Sequence, residues 1–281
     1  MQPTPETELS YLGFQRLVPG PALRSYIREY WYFRRDTPLL AYHEEFMHPR
    51  GGFGIVFNFG DALRLDHTQI VIDPIFLDGA NTVSRQIGFL GRIDLLGVRF
   101  HEGGAYPFLG LPLNYLRNET GLLDALEAPE LLRLHARLAD AGTLPTRVSL
   151  LEEWLIGRLS FGKEQHVLIP TSLAMLRQRA GTLAIPDLAR SLAISQRQLE
   201  RLYQSQVGMS PKQYSQLLRI EAARLALKQI NHQTTTNLAA NLGFYDQAHF
   251  IREFQAVIGM TPYAYMNRSR QKSKDLVHDA S

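Results

Sequence analysis

The feature that most constrains this chain is an internal repeat at an offset of 51 residues. Ser195-Gln-Arg-Gln-Leu-Glu-Arg-Leu-Tyr-Gln-Ser-Gln-Val-Gly-Met-Ser-Pro-Lys-Gln-Tyr aligns without gaps on Asp246-Gln-Ala-His-Phe-Ile-Arg-Glu-Phe-Gln-Ala-Val-Ile-Gly-Met-Thr-Pro-Tyr-Ala-Tyr. Identical pairs include Arg201/Arg252, Gly208/Gly259, Pro211/Pro262 and Tyr214/Tyr265. A shorter match precedes each copy: Leu188-Ala-Arg-Ser-Leu-Ala-Ile echoes Leu238-Ala-Ala-Asn-Leu-Gly-Phe, with one extra residue in the second turn.

Each copy reads as helix, tight turn, helix. Ser195 and Asp246 are good N-caps, because their side-chain oxygens can accept the unpaired amide hydrogens that open a helix. Ala189 and Ala239 are small where two helices would cross closely, and Gly243 suits a turn that needs a permissive backbone. Leu199, Leu202 and Val207 in the first copy, with Phe250, Phe254 and Ile258 in the second, keep helical core spacing. The opposite face carries Gln196, Arg197, Glu200 and Arg201 in the first copy, and Gln247, Ala248, Ile251 and Arg252 in the second. Gly208 and Gly259 stop these helices, and Pro211 and Pro262 open the next. From Pro211 to about Ile230 one helix is predicted, with an apolar stripe at Tyr214, Leu217, Leu218, Ala222, Leu225 and Ala226. Twenty residues make a rod of about 30 Å. Such a rod can hold two reading helices roughly one DNA turn, about 34 Å, apart.

Charge supports the same assignment. Met1 to Ile169 carries 16 Lys and Arg against 20 Asp and Glu, a balance of −4, whereas Pro170 to Lys274 carries 14 against 5, a balance of +9. A positive surplus confined to one segment is the footprint of a module that neutralises phosphates. A single helical hairpin would mean little, since such hairpins occur in many folds. Two copies, a connecting rod and a local positive surplus together point to DNA.

The rest of the chain has a different texture. Up to about Leu113, the runs Glu29-Tyr-Trp-Tyr-Phe-Arg, Gly54-Ile-Val-Phe-Asn-Phe, Gln69-Ile-Val-Ile and Asp94-Leu-Leu-Gly-Val-Arg-Phe are aromatic, β-branched and bounded by turn formers, which favours strands. Helical spacing follows in Leu131, Leu134 and Leu138 and in Val148, Leu151, Leu155 and Leu159, and Ser160-Phe-Gly-Lys-Glu-Gln-His reads as a connector. The expected fold class is α+β: a β-rich sensor-like domain over 1–112, a helical connector over 113–169, an all-α domain with two helix-turn-helix units over 170–270, and a flexible tail over 271–281.

Composition narrows the chemistry. With 45% hydrophobic and 20% charged residues the chain is an ordinary globular sequence. Zero cysteines exclude disulfides, thiolate catalysis and thiolate-ligated metals. No apolar run approaches the roughly 18 residues of a membrane span, and the first residues lack the order of a signal peptide, so a cytoplasmic location and no membrane partner are expected. No Ser-His-Asp order, phosphate loop or paired-carboxylate motif stands out, and no enzyme activity or cofactor is expected. His43, Glu44, Glu45 and His48 are metal-ligand types, but their spacing is not that of a known site, and no metal is expected. Trp31, Tyr32, Phe57, Asn58, Arg99 and Phe100 offer the aromatic walls and polar anchors of an effector pocket, although most such aromatics are core.

Gly243-Phe-Tyr-Asp-Gln-Ala-His-Phe-Ile-Arg-Glu-Phe-Gln-Ala-Val-Ile-Gly-Met-Thr-Pro-Tyr-Ala-Tyr resembles the signature of the AraC/XylS transcription regulators, and the resemblance covers about Pro170 to Arg268. It implies a seven-helix DNA-binding domain with base readers on its third and sixth helices. Gln255 and Met266 stand where that family commonly has basic residues, which implies a weaker backbone grip by the second unit. Ile55-Val-Phe-Asn-Phe-Gly-Asp and Gly97-Val-Arg-Phe-His-Glu-Gly-Gly-Ala resemble, less specifically, the sensor-like domain of some of these regulators.

The expectation is therefore a sequence-specific transcription regulator that reads two successive major-groove segments of double-stranded DNA. Base contacts fall to Gln196, Arg197, Glu200, Arg201, Gln247, Ala248, Ile251 and Arg252, and backbone contacts to Ser195, Lys212 and Asp246. RNA polymerase, a small-molecule effector and a second copy of the chain are the other expected partners. The dimer is motivated by the leucine stripes at 131–138 and 148–155, which could equally pack within one subunit. An enzyme or carrier that merely recruits nucleic acid, and a non-specific DNA binder, are the rival readings.

Overall fold

The computed structural model describes residues 9, 13–121, 128–229 and 235–278. Its N-terminal part holds two antiparallel sheets. The larger has strand order β1 (Phe14–Leu17), β2 (Ile27–Arg34), β9 (Asp94–Phe100), β4 (Gly54–Asn58), β7 (Ile75–Asp78) and β10 (Thr120–Gly121). The smaller runs β3 (Leu39–Met47), β8 (Arg85–Gly91), β5 (Leu63–Leu65), β6 (Gln69–Val71). All four strand-like runs picked out in the sequence form strands, as the α+β class requires.

The larger sheet is covered on both faces, and the period-two alternation of its strands sorts residues between two cores. Phe33, Val56, Phe76 and Leu95 point toward the smaller sheet, where they meet Leu63, Leu65, Ile87 and Phe89. Their neighbours Tyr32, Ile55, Phe57, Leu77 and Leu96 point the other way, into a core built with helices. That second core holds α1 (Tyr106–Leu109), α2 (Ala128–Asp140), α3 (Leu144–Phe161) and the helices that follow.

Helices α2 and α3 were expected to bridge two domains, but they lie on the larger sheet. Arg147 of α3 donates to Asp94 at 2.7 and 3.3 Å and stands 4.3 Å from the Phe59 ring centroid, while His135 of α2 bonds the Asn58 carbonyl at 2.8 Å. The leucine stripes that motivated a dimer are used internally: Leu131, Leu134, Leu138, Leu151 and Leu155 are all buried within this one chain. The segment after α3 is tied down rather than loose. Gln165 donates to the Gly103 carbonyl at 2.8 Å, and the His166 N–H donates to the buried Gln206 amide at 2.9 Å.

Seven helices follow: α4 (Leu168–Gln178), α5 (Ile185–Ser191), α6 (Gln196–Gln206), α7 (Pro211–Gln229), α8 (Thr235–Asn241), α9 (Gln247–Ile258) and α10 (Pro262–His278). The expected flexible tail is different up to His278, because α10 continues through Gln271, where the sequence shows no apolar period. Ile230, the expected end of the rod, lies outside the described residues. Along α7 the buried positions are Pro211, Tyr214, Ser215, Leu217, Ile220, Ala223, Arg224 and Leu227, whereas Leu225 of the expected stripe is exposed. The stripe shifts because α7 is packed by neighbours on several sides, and the guanidinium of Arg224 enters the buried row paired with Glu221.

The repeat is visible bond by bond. In the first turn Ala193 donates to the Arg190 carbonyl and Ile194 to that of Ala189, both at 3.1 Å; in the second, Gly243 donates to Ala240 at 3.1 Å and Phe244 to Ala239 at 3.0 Å. Both turns pass through the left-handed region, at φ 54° for Ala193 and 72° for Gly243. A side chain there meets its own carbonyl, a strain glycine avoids. Ala193→Gly is therefore expected to stabilise the chain by about 0.5 to 1 kcal/mol, and Gly243→Ala to destabilise it by about 1 kcal/mol. Urea unfolding midpoints of the two variants check this; equal shifts of one sign would contradict the equivalence of the turns.

Candidate functional site

Helices α6 and α9, which carry the residues expected to read bases, start from matched caps. The Ser195 hydroxyl accepts the Gln198 N–H at 3.2 Å, and the Asp246 carboxylate accepts the His249 N–H at 2.6 Å. These oxygens, expected at the DNA backbone, are thus engaged in holding helix starts. Behind them Leu199 and Tyr203 anchor α6, and Phe250, Phe254 and Ile258 anchor α9. Gly208 and Gly259 close the helices with φ of 86° and 84°.

The outer faces stay open with the N-terminal sheets packed in place. Gln196, Arg197, Glu200 and Arg201 on α6 are exposed, as are Gln247, Ala248 and Arg252 on α9. Ile251 differs, being half-buried and packed partly against the core. Glu200 accepts from Gln204 at 3.1 Å, and among the described residues no ion pair involves Arg197, Arg201 or Arg252. Three guanidiniums thus project without an acid neighbour. Lys212 is exposed in the first turn of α7. Sequence reasoning passed over Tyr245, which is 92% exposed beside the α9 cap, and Arg190, exposed on α5 and paired with Asp187 at 2.8 Å. The exposure of Tyr245 is set by the fold, and its one local signal is its place directly before the Asp246 cap.

The rod α7 sets the relation between the two units. At 19 residues it is about 28 Å long. It is braced against α9 by Arg219, which donates to Glu253 at 3.2 Å and lies over the Phe244 ring, while Glu253 also bonds His249 at 3.1 Å.

A family model described as a helix-turn-helix domain matches residues 188–268, and one described as a domain of unknown function matches 15–121. The C-terminal helices are an AraC-type helix-turn-helix domain. Among relatives, the chain is 25% identical over 167 residues to the uncharacterized HTH-type transcriptional regulator YidL of Escherichia coli, covering 57% of this chain and 53% of that protein. It is 36% identical over 90 residues to the HTH-type transcriptional regulator Rv1931c of Mycobacterium tuberculosis, covering 32% of this chain and 34% of that one. The chain thus spans about half or less of the curated relatives it matches. A crystal structure of ToxT from Vibrio cholerae aligns with 84% of this chain and 96% of its own, at 10% identity and a TM-score of 0.44.

Of the six residues expected to line an effector pocket, three border one cavity, although the Phe100 ring also packs against Phe108 in the helix-facing core. Trp31, Arg99 and Phe100 border a cavity of about 70 Å³ between the sheets, which sequence reasoning did not complete with Arg28, Asp78 and Asn81. Tyr32 faces the other side, where it accepts from Arg147 at 3.3 Å, and Phe57 is fully buried in the helix-facing core. Asn58 closes a turn, donating to Asp61 and accepting the Gly60 N–H, both at 2.9 Å. Tyr32, Phe57 and Asn58 therefore do not line the cavity. The indole of Trp31 lies on Gly97, where a Cβ would come within 1.9 Å of the ring.

Of the metal-ligand types, His43 lies 3.7 Å from Glu45, and Glu44 lies 3.0 Å from His67. Among the described residues no cluster of three such groups could hold an ion. His48 instead sits at the seam between the two halves, bonded to the Ser84 hydroxyl at 2.9 Å and edge-on to the Tyr265 ring. Burial pushes its pKa down to about 3, helped by the cations Arg224, Lys228, Arg268 and Arg50 that surround it. The folded chain therefore keeps this imidazole neutral while the unfolded chain protonates it near 6.5. The stability this contributes is full above about pH 6.5 and is lost as pH falls toward 3. At pH 5 the loss is expected to reach about 2 kcal/mol. Urea midpoints at pH 7.5 and 5 check this: His48→Asn, which can still bond Ser84 but carries no charge, should show the smaller drop.

Proposed function

We propose that the chain is a sequence-specific DNA-binding transcription regulator in which α6 and α9 read two successive major-groove segments and the N-terminal half receives an effector. The observation that carries this reading is the pair of equivalently capped helices, each presenting an exposed arginine without an ion pair at the same repeat position, Arg201 and Arg252. Arginine forks can make paired hydrogen bonds to guanine in the major groove. The reading assigns base contacts to Gln196, Arg197, Glu200 and Arg201 and to Gln247, Ala248, Ile251 and Arg252, and phosphate contact to Lys212 and to the helix starts at Ser195 and Asp246. It places the chain in the cytoplasm with RNA polymerase as a partner, and gives it no catalytic role. Self-association belongs to the same reading, though the stripes that suggested it are internal. Among the described residues no helix is long and apolar enough to cross a membrane.

The sheets leave the reading faces open, which supports a modulating rather than base-reading role for the N-terminal half. The reading assigns effector reception to the N-terminal half, where Trp31, Arg99 and Phe100 border a cavity.

Selection of preferred sequences from random DNA tests the assignment. Arg201→Ala should weaken binding by about 1 to 3 kcal/mol and relax preference in one segment, and Arg252→Ala should act about one turn away. Lys212→Ala should weaken all sequences alike and flatten the salt dependence. Unchanged base preferences in both arginine variants would reject the two-helix reading. A wild-type preference below about a thousandfold over random DNA would favour a non-specific binder.

A further inference from the structure

Packing identifies the extra residue of the second turn. In the first unit Ile194 stands directly before the Ser195 cap and packs against the core. In the second, Phe244 takes that place, buried with its ring 5.1 Å from that of Phe250. The chain then adds Tyr245 before the Asp246 cap. Its backbone N–H donates to His249 Nδ1 at 3.4 Å, yet its side chain is left in solvent, and among the described residues its ring and hydroxyl have no hydrogen-bond or ring partner. An inserted aromatic that the fold does not use is available to something outside it.

The matched positions of the two units also differ in charge, and in one direction. Arg190, Arg197, Arg201 and Lys212 of the first unit correspond to Ala240, Ala248, Arg252 and Tyr263 of the second, all of them exposed. Of the cations in that set, the second unit keeps Arg252 alone. Lys212 and Tyr263 are equivalent in their surroundings as well as in number. Each is the second residue of its helix, after Pro211 or Pro262, and the helix starts are capped alike: the Gln213 N–H donates to the Ser210 hydroxyl at 3.0 Å and the Ala264 N–H to that of Thr261 at 3.2 Å. Tyr263 is 68% exposed and, like Tyr245, its side chain has no partner among the described residues. A tyrosine thus stands before the start of α9, and another stands past its end, where the first unit carries the lysine assigned to a phosphate.

The chemistry of the substitution sets its consequence. A tyrosine hydroxyl can donate to a phosphate oxygen without neutralising it, so the bond releases no counterion and adds nothing to the salt dependence of binding. We propose that Tyr245 and Tyr263 hold the DNA phosphates that flank the groove segment read by α9, so that the second unit grips the backbone with uncharged groups where the first uses cations. Rising salt then loosens the first segment before the second. This division of the backbone grip rests on the regulator reading above and goes beyond it, since that reading assigns neither tyrosine a role.

Binding of the full chain to its selected DNA site, measured over a series of salt concentrations, tests this. Tyr245→Phe and Tyr263→Phe remove only a hydroxyl from an exposed side chain. Each should weaken binding about tenfold, the usual worth of a hydrogen bond to a charged group. Both should leave the base preferences and the slope of log affinity against log salt as in the wild type. Tyr263→Lys, which copies the first unit, should steepen that slope by about one, and Lys212→Ala should flatten it by about as much. Wild-type affinity in either phenylalanine variant would overturn the two-tyrosine grip, as would a Tyr263→Lys chain with an unchanged slope, and in both cases a preserved DNA preference would leave the regulator reading standing. A wild-type chain that selects no sequence rejects the regulator reading, and this proposal with it.

Discussion

The arrangement of the whole chain depends on one carboxylate. Glu102, whose side chain is 3% exposed just after β9, takes a 2.5 Å bond from Arg28 of β2 and a 3.2 Å bond from Arg177 of α4. A buried acid between two arginines gives little net stability as a pair, but losing one partner leaves an uncompensated charge, a cost of about 3 to 5 kcal/mol. The contact therefore fixes where the first DNA-binding helix stands relative to the sheets. Other seam contacts reinforce it: the Ser84 N–H donates to the Val257 carbonyl at 2.7 Å, and Phe53 packs against Gly208 so closely that a Cβ there would fall 2.9 Å from its ring. The helix-turn-helix units are consequently not a module on a loose tether. They share a continuous core with the N-terminal half.

Given that seam, parity in the larger sheet decides which residues serve the interior. The face toward the helices is filled with the buried side chains of Tyr30, Ile55, Phe57, Leu96 and Val98. The face toward the smaller sheet is filled only in part, because Trp31 lies flat over Gly97 and the arginines beside it cannot pack as hydrocarbons do. The cavity described above and a larger one of about 250 Å³ open on that side. One residue of register in β2 would exchange Trp31 for Tyr32 and abolish them.

Much of this was legible in the sequence, and the reasons are physical. The repeat, its caps, its glycine stops and its prolines are local signals, and local hydrogen bonds decide them, so Ser195, Asp246, Gly208 and Pro211 fall where expected. The strand-like runs were visible as composition, yet the face each side chain takes depends on register with a distant partner, which no local pattern carries. That is why Tyr32 and Phe57, which face the helices, could not be told from Trp31 and Arg99, which border the cavities on the other face. Arg224 and Arg268 were counted as part of a positive surplus read as a footprint for phosphates of DNA, although Arg224 is buried against Glu221 and Arg268 lies over the Phe46 ring of the N-terminal half. The leucine stripes of α2 and α3 were genuine, but a stripe does not name its partner, and here the partner is the sheet of the same chain.

The two helix-turn-helix units are alike in fold and unlike in attachment, which gives the repeat an asymmetry its sequence conceals. The first unit meets the N-terminal half through the ends of its helices, at Gln206, Gly208 and Arg177, where packing is tight and the charges are paired. The second meets it through Val257, Tyr265 and Arg268, and Tyr265 and Arg268 also border the larger cavity. Helix α7 joins the two, and its Arg219 and Glu253 bridge holds the second unit to its own length. The cavity therefore adjoins α10 and the far end of α7, through Arg268, Arg224 and Lys228. Among the described residues, then, the repeat is asymmetric in its attachment: α7 and α10 contribute side chains to the cavity lining and α6 contributes none.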